Sequence, residues 1–256
     1  MAKKSSSGRI LKSIKRGIEY IRQGHFVFFW KALRSRIYSQ NLFFGLSRDL
    51  NRPFQPPDAK IDICIRPLQE NDIESLLENG ELTNHMPRLA AYQQFMVQTN
   101  IPTCYVAVTA DGEPCYMQWL INSKENARIH DHFGETFPPL KDHEVLLEAA
   151  FMKRSFRGLR VMPAAMARIA EKGKDLGASR AITFVGSENI PALKGCRRAG
   201  FTPYILRKER WILFRQNISF SFIPKEMLEQ YRMVVGGEIK QQAPQQIAAK
   251  EKHKQP

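Results

Sequence analysis

The sequence contains few cysteines and no close pair of them. The four are scattered along the chain, at Cys64, Cys104, Cys115 and Cys196. Isolated cysteines argue against a disulfide-stapled secreted fold and against a zinc ribbon, and they fit a reducing compartment. We therefore expect a cytoplasmic protein.

Long apolar runs and acidic residues are also scarce. No stretch is long and apolar enough to span a bilayer, and the early run 26–30 is too short for a signal-peptide core. Against 39 lysines and arginines there are only 25 aspartates and glutamates, so the net charge is +14. This excess of positive charge predicts an anionic partner: a phosphate-bearing ligand, nucleic acid or an anionic membrane surface.

The composition divides the chain into three parts. Residues 1–57 are a basic extension with apolar residues at helical spacing, and residues 58–224 carry the patterns of one compact domain. Residues 225–256 are rich in glutamine and lysine and are predicted to be a largely disordered tail. The extension could pack on the domain, or residues 9–46 could contact an anionic membrane from the inner surface; nucleic acid is the least favoured partner.

Within the domain, strand and helix patterns alternate. A first strand at 60–68 precedes two helices, and the Asp111-Gly112 pair predicts a hairpin. The polar stretch 122–142 is longer than an ordinary connection and is expected to be functional. After it we predict a strand up to Met152, a helix that ends at Gly177, and then the elements 181–185 (strand), 191–199 (helix), 201–206 and 210–223 (two strands).

A short basic loop, 153–160, joins an apolar strand to a helix. A helix that begins directly after a strand presents free backbone N–H groups and partial positive charge, which suits a phosphate. Arg154, Arg157 and Arg160 crowd this opening. The alternative is an ordinary strand-helix corner with solvated arginines.

Two stretches resemble motifs of the GNAT acetyltransferase superfamily. Residues 156–162 sit where that family has Arg/Gln-x-x-Gly-x-Gly/Ala, its acetyl-CoA pyrophosphate loop, and residues 189–201 look like its Asn-led helix that ends in Gly-Phe. The likeness covers roughly residues 61–217. It implies an α/β (α+β) fold with a mixed, mostly antiparallel central sheet flanked by helices, to which the chain adds a basic helical N-terminal extension.

The resemblance also implies an activity. The chain would be an acyl-CoA-dependent N-acyltransferase that moves an acyl group, expected to be acetyl, from acetyl-CoA to an amine by direct transfer in a ternary complex. The acceptor would be a small molecule or a glycan precursor. The expected coenzyme contacts are Met152, Arg154, Arg157, Gly158, Leu159, Arg160, Val161, Met162 and Asn189, although Asn189 could instead cap its helix.

The loop is degenerate, because Arg160 and Met162 replace the two small residues that allow backbone to approach the diphosphate. Arg160 could compensate with charge. A tyrosine that commonly serves the family as general acid is also replaced, by Cys196, which could donate a proton or be a buried structural cysteine. These departures motivate the alternative of a non-catalytic GNAT-like module that binds an anionic partner.

Acyl transfer to an amine requires a general base. Glu148 is the first candidate, because a carboxylate in so apolar a strand is costly unless it is used or paired. Glu144 lies an even number of residues away and should face the same way. The alternative for Glu148 is a salt bridge. Three histidines offer a second candidate base: His130, His132 and His143. His130 and His132 also have the spacing of metal ligands, but no supporting ligand set is evident, so no metal is expected.

Overall fold

The protein's structure, a computed structural model, describes residues 34–77 and 87–236, without the side chains of 77 and 87–91. The described strands form a sheet in the order β2-β3-β4-β5-β6-β1-β7-β8. They are Tyr38–Asp49 (β1), Ile63–Pro67 (β2), Cys104–Thr109 (β3), Pro114–Asn122 (β4), Glu144–Met152 (β5), Arg180–Gly186 (β6), Thr202–Ile212 (β7) and Arg215–Ser221 (β8). The helices are Glu70–Leu77 (α1), Pro87–Gln98 (α2), Asn126–Phe133 (α3), Val161–Glu171 (α4), Ile190–Arg198 (α5) and Lys225–Val235 (α6).

The predicted fold class is confirmed. The pairs β2–β3, β3–β4, β4–β5 and β1–β6 run antiparallel, and β5 and β6 are parallel neighbours. The element order along the chain is the one that the GNAT resemblance implies. The described residues divide into two compact units: a larger one of residues 43–206 and 221–236, and a smaller one of residues 34–42 and 207–220.

The core of the larger unit forms where α4 packs on β4 and β2. In α4 the residues Val161, Ala165, Met166 and Ile169 are all buried, because their helical spacing places them on one face. Strand β4, which faces it, is buried along nearly its whole length, and its Trp119 is only 2% exposed. This packing fixes the start of α4 against the end of the sheet.

The segment 38–49 corrects the prediction that the basic N-terminal extension is helical in this part of the chain. It forms β1, whose residues Phe43–Asp49 pair with β6, and Gly45 allows this because a Cβ there would meet Ile205 and Phe184. Arg48 is buried, ion-pairs with Glu171 and donates to the Ala199 carbonyl at 3.3 Å. Residues 44–48 are buried on both faces, so this strand lacks the alternation of apolar and polar residues that marks a half-buried strand.

Three further predictions are corrected. Residues 225–235 are the helix α6 rather than disordered tail, and its Tyr231 packs edge-on against Phe44 at 5.1 Å between ring centroids. Helix α4 ends at Glu171, and Gly177 instead caps a following 3₁₀ turn. The strand predicted at 210–223 is interrupted by a two-residue turn at 213–214. Residues 1–33 and 237–256, and with them most of the predicted membrane-contact segment, lie outside the described residues.

Candidate active site

The parallel strands β5 and β6 separate soon after they begin. They pair only through Glu144–Leu146 and Arg180–Ile182. Beyond that point a cavity of about 220 Å³ opens between them. Its walls come from both strands and from α2, α4 and α5, including Gln93, Leu147, Glu148, Ala150, Met162, Met166, Thr183, Asn189 and Cys196.

A β-bulge shapes the β5 side of this cavity. Between the pairs Met117–Phe151 and Trp119–Glu148, β5 has one residue more than β4. Ala149 absorbs it with φ of 54°, a left-handed conformation that is strained for alanine. The Gln93 side chain holds the bulge, since its Nε2 donates to the Ala149 carbonyl at 3.1 Å.

The amide oxygen of Gln93 is in a different situation from its NH₂ group. The side chain is fully buried, and its Oε1 has no hydrogen-bond partner among the described residues. The orientation of the amide is fixed, because only the NH₂ end can face the Ala149 carbonyl. A buried carbonyl oxygen without a donor is costly, so an N–H or O–H group of a bound molecule would be favoured at this point of the cavity wall.

Glu148 lies on the cavity wall, as the base prediction requires. The hydroxyl of Tyr92 donates to its Oε1 at 3.0 Å. Tyr92 in turn packs edge-on against Phe133, at 6.4 Å between ring centroids. The polar stretch 122–142 therefore contributes α3 and its Phe133 to the support of the residue that orients Glu148.

Glu144 takes a structural position. Its Oε1 accepts from Arg180 Nη1 at 3.1 Å, its side chain is almost fully buried, and it is not part of the cavity wall. The two carboxylates of β5 thus differ in position. Glu144 is ion-paired where the parallel strands still pair, and Glu148 lies where they have separated.

The basic loop is exposed and is not part of the cavity wall. Residues 154–156 form a 3₁₀ turn, Gly158 has φ of 81°, and Arg160 at φ of 58° precedes α4 without a side-chain cap. The first backbone N–H groups of α4 have no intrahelical acceptor, and Pro163 has no N–H group. Donors for an anion are therefore the N–H groups of Val161 and Met162, with Arg154, Arg157 and Arg160 exposed nearby in the chain.

Met162 fills the space beside Gly195 of α5, which has no side chain. Its sulfur lies against Gly195, so closely that a Cβ at 195 would collide with it. The bulk of the side chain at 162 is thus accommodated between α4 and α5. Arg160, by contrast, keeps a left-handed backbone that glycine would adopt at lower cost.

Cys196 is on the cavity wall, but its chemistry does not suit a general acid. It is 1% exposed, and its sulfur lies 3.7 Å from that of Met166. Burial raises the pKa of the Cys196 thiol to about 12, above that of an ordinary thiol, so proton transfer from it to a leaving thiolate would run uphill. The geometry favours the alternative of a buried structural cysteine.

Asn189 caps α5, because its Oδ1 accepts a hydrogen bond from the Ala192 N–H at 3.3 Å. Asn189 also contributes to the cavity wall. None of the three histidines belongs to that wall; the ring of His132 packs on Phe95 at 5.7 Å. Within the described residues no group of three metal-ligating side chains occurs.

Comparison with known proteins adds structural neighbours but no family assignment. No family model matches the chain, and no curated protein matches it. A solved GCN5-related glucosamine N-acetyltransferase region of a fungal multidomain β-N-acetylglucosaminidase is similar at 16% identity and a TM-score of 0.49, over 74% of this chain and 22% of that one. A GCN5-related N-acetyltransferase from Sphaerobacter thermophilus is similar at 13% identity and a TM-score of 0.44, over 72% and 56% of the two chains.

A third neighbour is AAC(6')-Iy in complex with the bisubstrate analogue CoA-S-monomethyl-acetylneamine, at 19% identity and a TM-score of 0.39, over 55% of this chain and 91% of that one. This chain spans about a fifth and just over half of the first two neighbours. At these identities and scores the neighbours carry no evidence on what this chain binds or does. No helix in the described part of the chain has both the length and the apolar character needed to cross a membrane.

Proposed function

We propose that the protein is an acyl-CoA-dependent N-acyltransferase that transfers an acetyl group directly to a primary amine. One observation carries the proposal: the parallel strands separate beside a carboxylate, Glu148, and leave a cavity between them. Residues 147–150 of β5 line that cavity where β6 no longer pairs with them. An extended amide-containing arm, such as that of CoA, can pair with such a strand edge.

The loop after β5 suits the other end of the coenzyme. The N–H groups of Val161 and Met162 at the start of α4 are donors for a pyrophosphate, and the dipole of α4 favours negative charge there. Arg157 and Arg160 are exposed on the same loop and supply charge. The arm would then run from the loop along β5 towards Glu148.

At the carboxylate the chemistry is a direct transfer. Glu148 takes a proton from the acceptor's ammonium, because only the neutral amine has a lone pair to attack. The nitrogen attacks the thioester carbon, the new C–N bond forms, the C–S bond breaks, and the thiolate is protonated by water. Tyr92 orients the carboxylate through its 3.0 Å hydrogen bond. Gln93 Oε1 is a second acceptor in the wall for an N–H of a bound substrate.

The test is to incubate the full chain with acetyl-CoA and a panel of primary amines, including amino sugars and their glycan precursors. Release of free thiol should depend on the amine, and mass spectrometry should find the acetylated product. If no amine in a broad panel is acetylated although acetyl-CoA binds, the proposed reaction is wrong and a binding module remains.

A further inference from the structure

The hairpin between β7 and β8, in the smaller unit, ends in two large apolar residues. Leu213 and Phe214 form its two-residue turn, with φ of 45° and 64°. Leu213 is 70% exposed and Phe214 is 56% exposed. Positive φ at both central residues is the pattern of a type I′ turn, for which Asn-Gly is the favoured sequence.

This turn is unfavourable on two counts. Leucine and phenylalanine in left-handed backbone are strained, because their Cβ crowds the following carbonyl. Their exposed side chains also gain nothing from the core of the unit. Within the part of the chain that the structure describes, neither backbone conformation nor burial favours these two residues, which indicates that they serve an interaction.

The turn belongs to a larger apolar patch. The Leu213 N–H donates to the Ile37 carbonyl at 2.8 Å, and the Phe214 N–H donates to that of Arg36 at 2.8 Å. Ile37, Tyr38 and Ile212 beside them are exposed by 44%, 68% and 45%. We call the residues Ile37, Tyr38, Ile212, Leu213 and Phe214 the apolar tip.

The surroundings of the apolar tip are basic. The described part of the smaller unit has six basic residues and a single acidic one, Glu209, which ion-pairs with Arg207 at 3.1 Å. Trp211 is covered by the guanidinium of Arg36, 5.4 Å above its ring. The other cations are Arg34, Lys208, Arg210 and Arg215. An apolar tip within a positive rim is complementary to a bilayer with anionic headgroups.

We propose that the β7–β8 hairpin docks the protein on an anionic lipid surface, with Leu213 and Phe214 inserted among the acyl chains and the basic rim on the headgroup phosphates. Two other occupants fit less well. Nucleic acid would use the cations but offers no apolar phase for Leu213 and Ile212. A second copy would bring two positively charged units together. The proposal is independent of the acyltransferase activity.

Residues 9–46 are predicted either to pack on the domain or to contact an anionic membrane, and that membrane contact stays a prediction. The new assignment keeps only Arg34 to Tyr38 of that segment and moves the inserting residues to the hairpin. No apolar periodicity marks the turn, so the evidence for it comes from the backbone conformation and exposure.

The experiment is co-sedimentation of the full chain with vesicles of phosphatidylcholine, with and without a minor fraction of phosphatidylglycerol. Wild type should sediment with the anionic vesicles only, and less at high salt. The double variant Leu213→Asn/Phe214→Gly should lose roughly tenfold or more in binding, since two inserting side chains are removed. It installs the favoured type I′ pair, so its unfolding temperature should not fall.

Phe222→Ser is the matched control, because Phe222 is 67% exposed but lies outside the hairpin; it should bind like wild type. The proposal is overturned if wild type ignores anionic vesicles, or if the double variant binds them as wild type does. Binding to duplex DNA without vesicle binding would assign the rim to nucleic acid. Loss of a dimer in the double variant, again without vesicle binding, would assign the tip to self-association.

Discussion

The cleft beside Glu148 and the basic loop 153–160 follow one another along the chain, yet they are built differently. In the cleft, polar groups are held in place: Tyr92 bonds Glu148, and Gln93 bonds the Ala149 bulge. In the loop the arginines are exposed, and the backbone has positive φ at Gly158 and Arg160.

The difference separates two tasks. A carboxylate that must accept a proton in a fixed geometry needs a rigid, partly buried setting. A phosphate needs donors and positive charge, and it tolerates variation in the side chains that supply them. Under the proposed function, the missing small residues at 160 and 162 would affect affinity for the coenzyme, whereas the cleft would affect turnover.

The largest effect is expected in the cleft. Glu148→Gln keeps the shape of the side chain but removes its proton affinity, so kcat should fall roughly 10²- to 10⁴-fold. Steady-state thiol release with an accepted amine measures it. The matched control is Glu144→Gln on the same strand, which should leave kcat near wild type and lower the unfolding temperature, because it weakens the ion pair with Arg180. Equal loss in both variants would remove Glu148 from the role of base.

Gln93→Met should have the next largest effect. The change removes the hydrogen bond to the Ala149 carbonyl, so the bulge next to Glu148 loses its support. We expect kcat to fall about tenfold with KM for acetyl-CoA unchanged, as for a positioning residue. Gln94→Met, at an exposed position of the same helix, is the control and should behave as wild type. A rise in KM alone would mean that Gln93 only shapes the coenzyme site.

Arg160→Gly should separate stability from affinity in the loop. Relief of the left-handed backbone should raise the free energy of unfolding by about 1 kcal/mol. Loss of the guanidinium should weaken acetyl-CoA binding about tenfold, the value of a charged hydrogen bond. Arg160→Ala should lose the affinity without the gain in stability. Calorimetric titration and denaturant unfolding check both; tighter binding in the glycine variant would show that Arg160 obstructs the phosphates.

The smallest effect on activity is expected at Cys196. Because burial raises its pKa to about 12, Cys196→Ala should keep kcat within about threefold while lowering stability by about 1–2 kcal/mol through the lost packing on Met166. Thiol release and thermal unfolding of the same preparation measure the two. A loss of kcat as large as that of Glu148→Gln would restore Cys196 as a proton donor.

Local patterns predicted much of this architecture. The Asp111-Gly112 hairpin, the strand–loop–helix around 153–160 and the order of elements are readable because turn glycines and apolar periodicities are local signals. Glu148 is a candidate for the same reason, since a carboxylate in an apolar strand is conspicuous; its role as base stays a prediction. Met162 and Cys196, both expected at the site, do line the cavity.

The features that the sequence does not predict depend on tertiary contacts. Tyr92 and Gln93 lie in a helix whose pattern shows a face but not what that face meets. Residues 44–48 of strand β1 are buried on both sides, so this part of the strand lacks alternation. The turn Leu213-Phe214 contains none of the residues that mark turns, which is the reason for the error there and also the clue to its interaction.

The central claim is that the cleft binds an acyl-CoA, and titration of the full chain with acetyl-CoA during thermal unfolding tests it directly. The unfolding temperature should rise with the logarithm of concentration, with about 2.7 kcal/mol of added stability at a hundred times Kd. ATP, which has phosphates but no pantetheine arm, should raise it less at equal concentration. An unchanged unfolding temperature at millimolar acetyl-CoA, or an equal rise with ATP, would contradict the account.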